Sequence, residues 1–193
     1  GRLFLSSGLG GMSGAQPKAA SIAGIISVVA EVNQKVIHTR YSQGWVDEVY
    51  SDLDELIDRV HLAKKKNEIV SLAYHGNIVD VWEKFADKNI FVDLGSDQTS
   101  LHNPWSGGYY PAGLSFEESN RLMSAEPDRF CELVRESMRR QITAINRHAG
   151  MGTYFFDYGN AFLLEVSRAG GDVLKPDGEF RYPSYVQDIM GPL

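Results

Sequence analysis

The sequence predicts a three-layer α/β domain, a mainly parallel sheet flanked by helices, and three observations carry that prediction. Short apolar runs rich in β-branched residues alternate with helical stretches of ten or more residues, the signature of strand–helix–strand units. A glycine cluster from Gly8 to Gly14 separates the first run from the first helix. An acidic residue, Glu31, closes the second run.

The elements follow in order. Leu3-Phe4-Leu5 reads as a buried strand ending at Ser6-Ser7, and the small residues from Ala15 to Gly24 read as a helix. Pro17 suits that helix only in its first turn, where a missing N–H costs nothing. Ile25 to Ala30 is a second buried strand. Ser51-Asp52-Leu53-Asp54 opens a helix with a cap-like serine and an acidic first turn. Leu53, Leu56, Ile57, Val60 and Ala63 keep helical spacing, and Lys64 to Lys66 suit the negative end of its dipole. Ile69 to Tyr74 is a third strand; a helix runs through Val79, Trp82 and Phe85 to Lys88; Ile90 to Leu94 is a fourth strand. Gly95 to Gly113 reads as a long loop, and loops of that size in compact domains are usually functional or disordered. Ser115-Phe116-Glu117-Glu118 is a capping box, and helical periodicity resumes after Pro127 at Phe130, Val134, Met138, Ile142 and Ile145. Thr153 to Phe156 is a fifth strand, Asn160 to Arg168 a helix, and Asp172 to Leu174 a sixth strand.

Composition limits the function classes. The 193 residues suit one domain, with 43% hydrophobic and 23% charged residues, as in an ordinary globular chain. A formal charge of −6 argues against a nucleic-acid or anionic-membrane binder. No apolar run approaches the roughly 18–20 residues that span a bilayer, and the first residues lack the features of a signal peptide, so a cytoplasmic protein is expected. Cys131, the one cysteine, is expected to be a small buried hydrophobe on a helix face. The five histidines form no i, i+4 pair, so no metal site is expected. The chain starts without Met and stops at Met190-Gly191-Pro192-Leu193, which suggests a domain excised from a longer protein.

The glycine cluster contains Gly-x-Gly-x-x-x-Gly, a variant of the dinucleotide fingerprint of Rossmann-like folds. Glycines are needed there because side chains would keep a pyrophosphate from the backbone N–H groups at a helix start. At the end of the second strand, Glu31 can accept hydrogen bonds from a ribose diol and would repel a 2′-phosphate, favouring NAD over NADP. A rival reading makes Gly11-Met12-Ser13-Gly14-Ala15 a nucleophile elbow with Ser13, but Ala15 breaks the pattern and His148, the last histidine, looks like part of a frayed helix end. Three further segments follow strands on the same sheet edge: Tyr74 to Asn77, Asp97 to His102 and Asp157 to Asn160. Tyr109-Tyr110 is placed to stack on a ring or to cover the sheet edge.

Taken with Tyr109 to Gly113, these segments resemble the urocanase family, the urocanate hydratases of histidine breakdown. The likeness runs through Gly8 to Lys18, Tyr74 to Asn77, Asp97 to His102, Tyr109 to Gly113 and Phe156 to Asn160, in family order. It implies an NAD-binding domain inserted in a longer chain, in a homodimeric parent that converts urocanate and water to imidazolone propionate. There NAD⁺ is held tightly as an electrophile rather than as a hydride carrier. The resemblance also implies NAD contacts at Gly11, Met12, Ser13, Glu31, Asn77, Ile78, Gln98, Thr99, Ser100, Leu101, His102, Tyr109, Tyr110 and Tyr158. It implies no catalytic residue within this chain, because the family's cysteine and acids belong to the core domain. One departure stands out: Val36 occupies a position where the family often has arginine. An NAD-dependent dehydrogenase domain, with His102 or Tyr158 moving the proton, and a non-catalytic NAD-binding module stay open as alternatives.

Overall fold

The computed structural model describes residues 1–11, 13–97, 103–159 and 161–191. Six strands form one sheet: β1 (Leu3–Ser7), β2 (Ile26–Glu31), β3 (Glu48–Tyr50), β4 (Ser71–His75), β5 (Leu94–Asp97) and β6 (Tyr154–Asp157). Their order is β3-β4-β2-β1-β5-β6, and every pairing is parallel. The helices are α1 (Gln16–Ile22), α2 (Gln34–Ser42), α3 (Leu53–Lys66), α4 (Ile78–Asp87), α5 (Phe116–Ala125), α6 (Pro127–Gly150) and α7 (Ala161–Arg168). This is the expected Rossmann-like α/β fold.

Alternation along the central strands explains the layering. Val28 and Val29, neighbours on β2, point to opposite faces. Val28 joins the larger core with Leu3, Leu5, Leu72, Trp82 and Phe155, whereas Val29 joins Leu9, Ile37, Val46 and Ala73 in a smaller one under α2. The capping box at Ser115 forms as the sequence indicates, whereas the cap of α3 is Asp52 rather than Ser51, because the Asp52 carboxylate stands beside the free N–H groups of the first turn. Asp52 accepts from the Asp54 and Glu55 N–H groups, and Ser115 with Glu118 completes a capping box.

Five expectations change. The segment between Glu31 and Ser51, where the sequence pattern indicates no element, holds α2 and β3. Ile37 is the one buried residue of α2, so its periodicity is faint, and β3 is a three-residue edge strand. The fourth strand begins at Leu94 rather than ending there. Ile90 and Val92 are buried, but Ile90 N–H closes α4 on the Phe85 carbonyl, and Leu94-Gly95-Ser96-Asp97 forms the ladder. Asp172 to Leu174 adds no strand to the sheet; Leu174 makes one isolated antiparallel bridge to Phe180. His148 is fully buried with Nε2 3.1 Å from the Trp82 carbonyl, not at a frayed end, and Cys131 is half-buried beside the buried stripe of α6 rather than inside it.

Candidate functional site

The chain builds the sheet outward from β1 in one direction through β2, then starts again on its other side with β5. Where that order reverses, the loops after β1 and β5 part and leave a crevice at the carboxyl ends of the strands. A cavity of about 460 Å³ lies there, within the usual range of roughly 300–1,000 Å³ for small-molecule sites. Segments distant in sequence line it: Ser7, Gly8, Gly10, Gly11 and Ser13, Ala30 to Val32, Gly76 to Ile78, Asp97, Gly107 to Tyr110, and Asp157 to Gly159 with Ala161.

The glycine loop forms one wall. Gly8 has φ +85°, donates its N–H to the Ala30 carbonyl at 2.8 Å, and would bring a Cβ to 2.8 Å from Ser13 Oγ. Gly10 and Gly11 border the cavity, and no atom lies within 4 Å of where a Cβ would stand on either. The Glu31 carboxylate is held at both oxygens, Oε2 by the Leu9 N–H at 2.9 Å and Oε1 by the Asn33 N–H at 2.9 Å. Each oxygen keeps a lone pair for another donor.

The opposite wall is a hydrogen-bonded lattice. Asn77 caps α4 through the Val79 N–H and donates Nδ2 to the Tyr110 carbonyl at 2.7 Å, tying the loop after β5 across the cavity. Tyr109 is 1% exposed, with its hydroxyl donating to Gln141 Oε1 at 2.8 Å. Gln141 Nε2 in turn donates to Asp97 Oδ2 at 2.8 Å, and the Ser7 hydroxyl reaches the same oxygen at 3.0 Å. Tyr109 is thus anchored into the core, and its burial drives its hydroxyl pKa well up. Tyr110 donates its hydroxyl to Asn120 at 3.1 Å and packs its ring by Phe116.

Asp157 stands in register with Asp97 on the next strand. Its carboxylate accepts from the Leu163 N–H at 3.1 Å and the Gly159 N–H at 3.3 Å. Burial pushes its pKa up to about 6 against the pull of those N–H groups, and the Asp97 charge adds to the rise. Tyr158 stacks its ring on Tyr185, centroids 5.2 Å apart and planes 4° from parallel.

Of the residues the sequence singles out, Gly11, Ser13, Glu31, Asn77, Ile78, Tyr109, Tyr110 and Tyr158 meet around this one cavity. Met12, Gln98, Thr99, Ser100, Leu101 and His102 lie outside the described residues, as does Asn160. Sequence reasoning missed Gln141 and Arg40. Gln141 carries a signal in retrospect: a polar residue on the same helix face as Val134, Met138 and Ile145 needs buried partners. Arg40 carries none, because its partners on the glycine loop are backbone carbonyls. Among the described residues no three His, Cys, Asp or Glu side chains are grouped to hold a metal ion, and no helix is long and apolar enough to cross a membrane.

Comparison with known proteins places this geometry in a family. Residues 1–189 match the model described as the Urocanase Rossmann-like domain. A probable urocanate hydratase of Dictyostelium discoideum is 60% identical over the whole chain, which covers 29% of that relative. The urocanate hydratases of Mus musculus and Homo sapiens are each 55% identical over the whole chain, which covers 30% of either. The chain therefore spans about three-tenths of the length of these relatives.

Proposed function

This chain belongs to the urocanase family, and on that premise we propose that it is the NAD-holding domain of a urocanate hydratase. The observation that carries the reading is the cavity at the switch point, walled by a glycine loop on one side and by Glu31 at the end of β2. The open space at Gly10 and Gly11 suits a diphosphate, since any side chain there would fill it. The lone pairs left on Glu31 suit the hydroxyls of an unphosphorylated ribose, and its charge disfavours a 2′-phosphate. The fit supports NAD rather than NADP.

Each residue then has a task in the proposed site. Gly10 and Gly11 receive the phosphates, with Met12 and Ser13 completing the loop. Glu31 orients one ribose. Asn77 and Ile78, at the start of α4, line the cavity, and the proposal adds Gln98, Thr99, Ser100, Leu101 and His102 as cofactor contacts. Tyr109, Tyr110 and Tyr158 complete the lining of the cavity. When bound, the nicotinamide supplies an electron sink for the chemistry of urocanate. Asp97 and Asp157 hold this end of the sheet in shape through their hydrogen bonds. The proposal gives the catalytic acids and cysteine to the core domain of a longer parent, and includes a homodimeric parent acting in the cytoplasm in histidine degradation. This chain alone is expected to show no turnover of urocanate.

Titration of the full-length protein with NAD⁺ by calorimetry tests the reading. Loss of a charged hydrogen-bond acceptor in Glu31→Ala should weaken NAD⁺ by roughly 10-fold or more and narrow the preference over NADP⁺. No binding at millimolar NAD⁺, or an unchanged affinity in the variant, would overturn it. Reduction of bound NAD⁺ by a small alcohol, seen at 340 nm, would favour a dehydrogenase instead.

A further inference from the structure

Arg40 stands outside the lining of the cavity yet holds its glycine wall from behind. Reaching across from α2, its guanidinium donates from Nε to the Leu9 carbonyl at 2.8 Å and from Nη2 to the Gly10 carbonyl at 2.6 Å. Nη1 donates to Gln43 Oε1 at 2.8 Å, and the cation lies 4.9 Å from the centre of the Trp45 ring. The loop is shaped around this side chain, because a Cβ on Gly14 would run into the guanidinium. Gly14 also donates its N–H to the Gly10 carbonyl at 2.9 Å.

Peptide geometry gives the clamp a direction. A trans peptide carries its C=O and the following N–H on opposite sides of its plane, and the described residues contain no cis bond. With the Leu9 and Gly10 carbonyls turned onto Arg40, the N–H groups of Gly10 and Gly11 point away from it. Those two glycines border the cavity. The positive charge also polarises both peptides, which strengthens their N–H groups as donors.

We infer that Arg40 is a positioning residue that presets the Gly10 and Gly11 N–H groups for the diphosphate of a dinucleotide before the ligand arrives. The inference rests on reading the cavity as a dinucleotide site. It also gives α2 a role that Val36 leaves open: the arginine stands one helical turn further on and acts on the loop rather than on the ligand.

The test compares ADP with adenosine, which lacks the phosphates, on the full chain by NMR shift titration. Arg40→Met should weaken ADP by about 10-fold or more and leave adenosine within about two-fold. Gly14→Ala, which displaces the guanidinium without removing it, should give the same selective loss, and the double variant should lose little more. Arg40→Lys keeps the charge without the fork and should remain several-fold weaker for ADP than the parent. Equal loss of ADP and adenosine, or full recovery with lysine, would overturn the inference while leaving the cavity a nucleotide site. If the unaltered chain bound neither ligand, the reading of the cavity itself would fall, and this inference with it.

Discussion

Burial lifts the Asp157 carboxyl to about 6, the N–H groups of Leu163 and Gly159 pull it back, and Asp97 alongside adds to the rise. Linkage turns this into a pH dependence of stability. Between about pH 4 and pH 6 the folded chain keeps a proton that the unfolded chain has released. This residue's contribution therefore falls as pH rises through that window, by about 3 kcal/mol in all. Asp157→Asn removes the titration while keeping an acceptor for the start of α7. Relative to the parent, the variant should gain about 2–3 kcal/mol on passing from pH 4 to pH 7, read from urea unfolding. A gap that stayed constant with pH would show that the carboxyl is not raised. Asp157 was legible in the sequence only as a turn residue after a strand. Its burial, and with it the titration, depends on Asp97 and the α7 backbone, which no local pattern brings together.

At the level of elements, β5 shows what hydrophobic patterning can miss. Ile90 and Val92 have the side chains of a strand and are buried, but they pack beneath the end of α4. The ladder itself is built from Leu94, a glycine, a serine and an aspartate. Gly95 is there because a Cβ would come within 2.5 Å of Trp82 Cη2. Ser96 is buried opposite Ser6, the two hydroxyls 3.0 Å apart. Gly95→Ala should therefore cost about 1–3 kcal/mol by overpacking, and Trp82→Phe in the same chain should recover part of it. Denaturant midpoints of the three variants decide; a neutral Gly95→Ala would mean that the Trp82 ring moves freely. The longer amphipathic helices, α3, α4 and α6, were legible because their buried faces recur with the helical period. Helix α2 was not, since it buries little and owes its place to Asn33 at its start and Arg40 near its end.

Across the whole molecule, the cavity draws on segments from residue 7 to residue 161 and on five of the six strand ends. A ligand there bridges parts of the chain that separate only on global unfolding. NAD⁺ at about 100 times its dissociation constant should add about 2.7 kcal/mol, raising the melting midpoint by roughly 5–10 °C for a chain of this size. A midpoint indifferent to saturating NAD⁺ would mean that the folded chain does not bind it. Strand–glycine-loop–strand–acid order is local enough to be read from one stretch of sequence. The lattice from Ser7 through Asp97 and Gln141 to Tyr109 is not, because its members come from β1, β5, α6 and the loop between them.

The two margins of the sheet have a consequence of their own. β3 exposes a ladder only three residues long, and Arg59 fixes it by forking to Glu48 on the strand and to Glu68 ahead of β4. On the far side, the Pro183 carbonyl takes the Asp157 N–H, and Ser184 bridges to Asp157. One border is short and charged, the other partly covered, so a foreign strand finds little to extend. Crowded together, copies of this chain have poor means of polymerising edge to edge, even though every one of their strands runs the same way.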